Sequence, residues 1–293
     1  MERLFSGVGA ALVTIFDSSG AVDEAATARH AADLAARGMR VILVAGTTGE
    51  AGKLTDAERV GLIRAVRAAL PADVPVLAGT GAATTEVVVG LTTAAVEAGA
   101  DAVLAYPPPG WDAPPAGTQA TGTQPAGTQP AGTQATGTGS EGESEAAGEF
   151  TGLHSFYGAV AKAAGDRPVL AYHVPWVSSP GVPVDQLGLL PISGIKDSSG
   201  SADRLLDELS HYNGATYVGS SAVLALAGPM GGAGAILAIA NVEPELCSAA
   251  FGGDGSAQLR LAGTHLAVRA GGPAELKRLL AAKSDFPATS RVG

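Results

Sequence analysis

The chain has 293 residues, 46% of them hydrophobic and only 16% charged, with a net charge of −10. That is enough apolar material for one large domain or two small ones, and the acidic balance argues against a nucleic-acid partner, which needs a basic patch for phosphates. No Lys/Arg run suits an anionic membrane, no stretch of about 18 apolar residues could span one, and the N-terminal segment lacks the charged-then-apolar pattern of a secretory leader, so a cytoplasmic protein is expected.

Short apolar runs alternate with longer amphipathic segments. Val8–Ile15 reads as a strand ended by the turn Asp17-Ser18-Ser19-Gly20, and Asp23–Arg37 as a helix with one apolar face. Val41–Val44 is the second strand. Thr55–Leu70 is the next helix, where Thr55 followed three residues on by Glu58 has the spacing of a capping box. Val74–Ala78 is a strand, Thr84–Ala98 a helix that Gly99 ends, and Ala102–Ala105 the fourth strand. Further strands are expected at Val169–Tyr172, Gly194–Lys196, Thr216–Gly219 and Ala235–Ile239, with helices at 151–164, 201–211 and 221–228. The single cysteine, Cys247, permits no intrachain disulfide and no multi-cysteine zinc site, and reads as a small buried hydrophobe.

One segment breaks the alternation. Residues 115–139 are five pentapeptides, PAGTQ, ATGTQ, PAGTQ, PAGTQ and ATGTG, followed by an acidic, Gly-rich run to Glu149. With almost no large apolar side chain such a stretch cannot offset its own ordering entropy, so 113–149 is expected to be a low-complexity, disordered insertion after the fourth strand.

Eight short strands that are apolar throughout imply a parallel sheet covered on both faces by helices. Eight such units give an α/β fold of the (β/α)8 TIM-barrel type, with residues 1–240 forming the barrel around the insertion. Residues 241–293 would supply the last barrel helix and a short C-terminal helical extension. The rival open sheet lacks a Gly-x-Gly-x-x-Gly turn after the first strand. The stretch Gly228-Pro229-Met230-Gly231-Gly232-Ala233-Gly234 lacks the Lys-Ser/Thr ending of a phosphate loop and reads as a tight turn.

Barrel active sites sit at the C-terminal ends of the strands. The side chains expected there include Thr14, Thr47, Thr48, Tyr106, Tyr172 and Lys196, with no carboxylate pair and no His cluster. Metal-assisted hydrolysis and two-carboxylate glycosidase chemistry are therefore poorly supported. Of the five histidines only His173 falls near the mouth, and a lone His there reads as structural. Lys196 is the only Lys or Arg at a strand end. Partial desolvation there would favour the neutral amine, a nucleophile able to form a Schiff base with a ketone; a solvated strand-end lysine is the plain alternative. Tyr172, on the neighbouring strand, could relay protons or simply pack with its hydroxyl bonded. Thr47 and Thr48, bracketed by Gly46 and Gly49, form either an anion-binding nest or an ordinary turn.

Together, Gly46-Thr47-Thr48-Gly49-Glu50, Tyr172-His173-Val174-Pro175, Gly194-Ile195-Lys196-Asp197 and Gly234-Ala235-Ile236 before Ala240-Asn241-Val242 resemble the dihydrodipicolinate synthase / N-acetylneuraminate lyase family over roughly residues 5–250. The resemblance implies a class I pyruvate aldolase or lyase that needs no cofactor and works as a homodimer or homotetramer. It makes Lys196 the Schiff-base lysine, Tyr172 the proton relay, Thr47 and Thr48 the holders of the pyruvate carboxylate, and Ile236 part of the pyruvate pocket. The match departs at three places. Val177 stands where the synthase has an Arg for the second substrate's carboxylate, the loop after Tyr106 has Pro where the synthase has a relay Tyr, and the C-terminal region is shorter. Three readings follow: a pyruvate aldolase acting on some other aldehyde, 4-hydroxy-tetrahydrodipicolinate synthase itself, or a degenerate paralogue that binds a keto acid without turnover.

Overall fold

The computed structural model describes residues 3–111 and 143–292. The expected insertion at 113–149 falls largely on 112–142, outside the described residues. From Glu143 onward the chain is helical, so the helix after the fourth strand starts eight residues before the expected 151.

Eight parallel strands close on themselves in sequence order: β1 (Gly7–Ala11), β2 (Ile42–Val44), β3 (Val76–Gly79), β4 (Ala102–Ala105), β5 (Val169–His173), β6 (Gly194–Asp197), β7 (Ala215–Val218) and β8 (Gly234–Leu237). Closure is made by β1 against β8, with Gly7 opposite Gly234 and Ala10 opposite Leu237. This is the (β/α)8 TIM barrel expected from the strand count. The strands are buried almost throughout. Side chains pointing inward, among them Leu43, Leu77, Leu104, Leu170, Tyr217 and Ile236, fill the interior as one cluster. The barrel is thus a packed core, and the mouth at the C-terminal ends of its strands is where this fold places its sites.

Around it lie α1 (Glu24–Ala36), α2 (Asp56–Ala69), α3 (Thr85–Glu97), α4 (Glu143–Ala164), α5 (Ala202–His211), the short α6 (Leu224–Ala227), α7 (Pro244–Phe251) and α8 (Gly255–Ala281). Caps fix several starts. Asp23 accepts from the Ala26 N–H at 2.8 Å. The Thr55/Glu58 capping box is complete: the Thr55 hydroxyl accepts from the Glu58 N–H and the Glu58 carboxylate accepts from the Thr55 N–H. The expected helix over 221–228 is instead a 3₁₀ turn (Ser221–Val223) followed by the single turn of α6. Two Gly residues near 231 then redirect the chain into β8.

The region after the barrel is one long helix with a break. Gly272 takes φ 60° and ψ −149°, outside the helical region, and Pro273 follows it. Only glycine adopts that conformation readily, and a proline cannot donate to the preceding turn. The break divides α8 into two halves. Among the described residues no helix is long and apolar enough to cross a membrane.

Cys247 lies on α7 and is fully buried, as expected. Burial, with Glu243 and Glu245 nearby, pushes its thiol up to about 12. Because the thiolate is the reactive form, 5,5′-dithiobis(2-nitrobenzoate) should leave the native protein unlabelled and titrate one thiol in denaturing urea. Rapid labelling without denaturant would contradict this packing.

Candidate active site

The register of the barrel brings the first two site residues together. Tyr172 of β5 lies directly opposite Lys196 of β6, so both side chains point to the same face. The Lys196 ammonium nitrogen sits 4.4 Å from the centre of the Tyr172 ring. Lys196 is only 4% exposed. Its Nζ makes no hydrogen bond or ion pair with any described residue, which leaves the amine uncommitted beside an aromatic face. The Ser198 hydroxyl donates to the Tyr172 oxygen at 3.3 Å, so the phenol is already part of a hydroxyl chain.

Room for the lysine depends on Gly219, at the end of β7. A Cβ there would come within 2.0 Å of the Ser198 Oγ and 3.0 Å of the Lys196 Cε. Any side chain at 219 would displace both groups.

Thr47 and Thr48 open a 3₁₀ turn, Thr47–Gly49, directly after β2. The first bond of this turn runs from the Gly49 N–H to the Gly46 oxygen at 3.0 Å. The N–H groups of Thr47 and Thr48 precede that donor and have no partner inside the turn. Free amides of this kind suit an anionic group. The turn is pinned from below, because the Thr14 hydroxyl donates to the Gly49 oxygen at 2.7 Å.

A cavity of about 520 Å³ at the mouth is lined by Thr47, Thr48, Tyr172, Lys196 and Ile236 together. All five residues singled out in the sequence therefore meet in one place. That volume lies within the range of about 300–1,000 Å³ typical of small-molecule sites. A second cavity of about 820 Å³ adjoins it, with Thr47 and Tyr172 lining both, and contains Val177 and Tyr106. The Tyr106 ring faces that of Tyr172 with centroids 6.2 Å apart. His173 is not among the lining residues of either cavity. Its ring is buried, its Nδ1 accepts from the Val182 N–H at 3.1 Å, and burial holds its pKa down at about 4, all in keeping with a structural role.

Two groups in the first cavity were not anticipated. His265 and Arg269, both on α8, line it as well. The Ser221 hydroxyl and the His265 Nδ1 are 2.8 Å apart. Burial and the neighbouring Arg269 guanidinium hold His265 below the usual histidine range. Among the described residues no group of three His, Cys, Asp or Glu side chains is placed to hold a metal ion.

Glu50, the last residue of the Gly-Thr-Thr-Gly-Glu turn, has a different task. It adopts a left-handed φ of 58° and is 2% exposed. Its carboxylate meets the Lys277 ammonium, from the second half of α8, at 2.5 Å. It also accepts from the N–H groups of Arg291 and Val292 at 2.7 and 2.9 Å. Arg291 pairs with Glu58 at 2.7 Å, and Lys277 and Arg291 both stack on Phe16. Burial presses the Lys277 ammonium below the ordinary lysine value although Glu50 pulls it up. Removing one member of such a buried pair strands the other charge and costs about 3–5 kcal/mol. Glu50→Ala should lower unfolding stability by about that much in urea titrations, with Glu50→Gln intermediate because its amide oxygen still accepts from the tail. A loss below about 1 kcal/mol would show the pair to be solvated.

Comparison with known proteins agrees with this geometry. The profile described as the dihydrodipicolinate synthetase family matches residues 4–119 and 146–261. A 4-hydroxy-tetrahydrodipicolinate synthase of Salinibacter ruber is 30% identical over 250 residues, covering 83% of this chain and 71% of that protein. An uncharacterized DapA-like lyase of Chloroflexus aurantiacus is also 30% identical, over 304 residues, covering 97% of this chain and 89% of its own. The crystal structure of the chloride-inhibited dihydrodipicolinate synthase of Acinetobacter baumannii with pyruvate superposes with a TM-score of 0.79 at 24% identity, covering 98% of this chain and 92% of that one. The chain belongs to the dihydrodipicolinate synthetase family and is a lyase of the aldolase type.

Proposed function

We propose that this lyase captures pyruvate, or a close 2-keto acid, as a Schiff base on Lys196 and uses it to make or break a carbon–carbon bond with an aldehyde. The observation that carries the reading is the uncommitted, 4% exposed Lys196 amine 4.4 Å from the Tyr172 ring, in a cavity that also holds Thr47 and Thr48. The two threonine N–H groups hold the keto acid's carboxylate, and Ile236 packs against its methyl end. The neutral amine attacks the C2 carbonyl to give a carbinolamine. Tyr172 takes the proton from nitrogen and returns it to the departing hydroxyl, so water leaves and the imine forms. Protonation of the imine nitrogen with loss of a proton from C3 yields the neutral enamine, whose C3 adds to the aldehyde carbonyl. Hydrolysis of the new imine releases product and restores the lysine. The cycle consumes no redox equivalent and needs no cofactor.

Lysine-pathway synthase activity fits less well. Val177 is apolar, sits in the adjoining cavity and cannot replace the fork of an Arg on a carboxylate. The reading includes a barrel of residues 1–240 followed by a C-terminal region of 241–293, a cytoplasmic location and a homodimer or homotetramer. Its test is reduction with borohydride in the presence of a panel of 2-keto acids, pyruvate first. A covalent adduct should appear on the peptide containing Lys196, and no adduct with any keto acid would refute the reading.

A further inference from the structure

The first cavity is far larger than a three-carbon keto acid requires, and its remaining wall has a definite chemistry. In a chain of net charge −10, no Asp or Glu among the described residues lines it. Beyond the pyruvate-binding groups it presents the hydroxyls of Ser198 and Ser220, together with Ser199, whose hydroxyl donates to Asp197, and, among the described residues, a single further Lys or Arg, Arg269. Arg269 lies on the half of α8 before the Gly272 break and is exposed. It makes no hydrogen bond or ion pair with any described residue, unlike Arg37, Arg67, Arg278 and Arg291, each of which is committed to a carboxylate. It also lines the adjoining cavity, as do Thr47 and Tyr172. The Ser221–His265 contact one turn earlier on α8 ties that face of the helix to the end of β7.

On the pyruvate-capture reading, we infer that Arg269 selects the second substrate, which is a hydroxylated aldehyde carrying a terminal oxyanion, a carboxylate or a phosphate. A guanidinium offers a planar fork of donors that matches either oxyanion. The Ser198 and Ser220 hydroxyls pair with the substrate's own hydroxyls, and Lys196 stands ready at the aldehyde end. The cation that recognises the acidic end of the substrate thus comes from the helix beyond the barrel, while position 177 is apolar.

The test uses dead-end ligands, so it does not depend on knowing the aldehyde. Full-length protein saturated with pyruvate is titrated calorimetrically with sn-glycerol 3-phosphate, glycerate and glycerol. At least one of the two anions should bind tenfold or more tightly than glycerol, and which one does so distinguishes phosphate from carboxylate. Arg269→Leu should erase that preference, and Arg269→Lys should keep part of it. Because Arg269 is exposed, an unchanged thermal midpoint in both variants checks that they fold. If the unmutated protein traps pyruvate with borohydride but neither anion outbinds glycerol, or the preference survives Arg269→Leu, the inference is overturned and pyruvate capture stands. If the unmutated protein does not trap pyruvate, the underlying reading falls and this inference falls with it.

Discussion

Lys196→Ala should abolish both the borohydride-trapped adduct and turnover. The covalent step has no alternative amine in the cavity: the other cation lining it is a guanidinium, which stays protonated and is not a nucleophile. Loss of a covalent nucleophile costs on the order of 10⁶-fold in turnover where it has been dissected, so activity should fall to background. Lys196→Arg should behave the same way, because it retains the charge and loses the chemistry. The adduct must vanish with the activity. If an adduct formed on another lysine and turnover survived, Lys196 would be a packing residue beside Tyr172.

Tyr172→Phe should produce the second-largest effect and a different pattern. The ring that packs beside Lys196 remains, and only the hydroxyl held by Ser198 is lost. Positioned proton transfer contributes about 10²–10⁴-fold, so turnover should fall by about that factor while the KM for pyruvate changes little. Borohydride trapping should be slowed and not abolished, since the amine and the Thr47–Thr48 turn are intact. A parallel loss of pyruvate affinity would assign Tyr172 to binding. Tyr106 provides an internal control. Its ring faces Tyr172 from just beyond β4, but of the two cavities it lines only the adjoining one, so Tyr106→Phe should have a smaller effect.

The barrel was readable because its strands are buried on both faces, which makes them short continuous apolar runs, and because the capping box at Thr55 and Glu58 marks a helix start chemically. The placement of Lys196, Tyr172, Thr47 and Thr48 at the mouth follows from the same logic, since the C-terminal end of a strand can be located to within a residue or two by its pattern. His265, Arg269 and Lys277 could not be found that way. They lie on a helix outside the barrel repeat, and two of them, His265 and Lys277, are held by partners more than 30 residues away. The Gly271-Gly272-Pro273 triplet was the one local signal that the helix changes direction. Glu50 likewise reads as part of a binding turn, while its actual partners are 227 and 241 residues further along the chain.

That last contact limits how the protein can be re-engineered. The loop after β2 is held from within by Thr14 and from without by Lys277, Arg291 and Val292, so its shape is written in three distant stretches of sequence. Grafting this loop from a relative, or shuffling barrel halves at a crossover between β2 and α8, would separate the carboxylate from its counter-charges. Such chimaeras should succeed only when the loop, the second half of α8 and residues 289–292 are exchanged as one inheritable block.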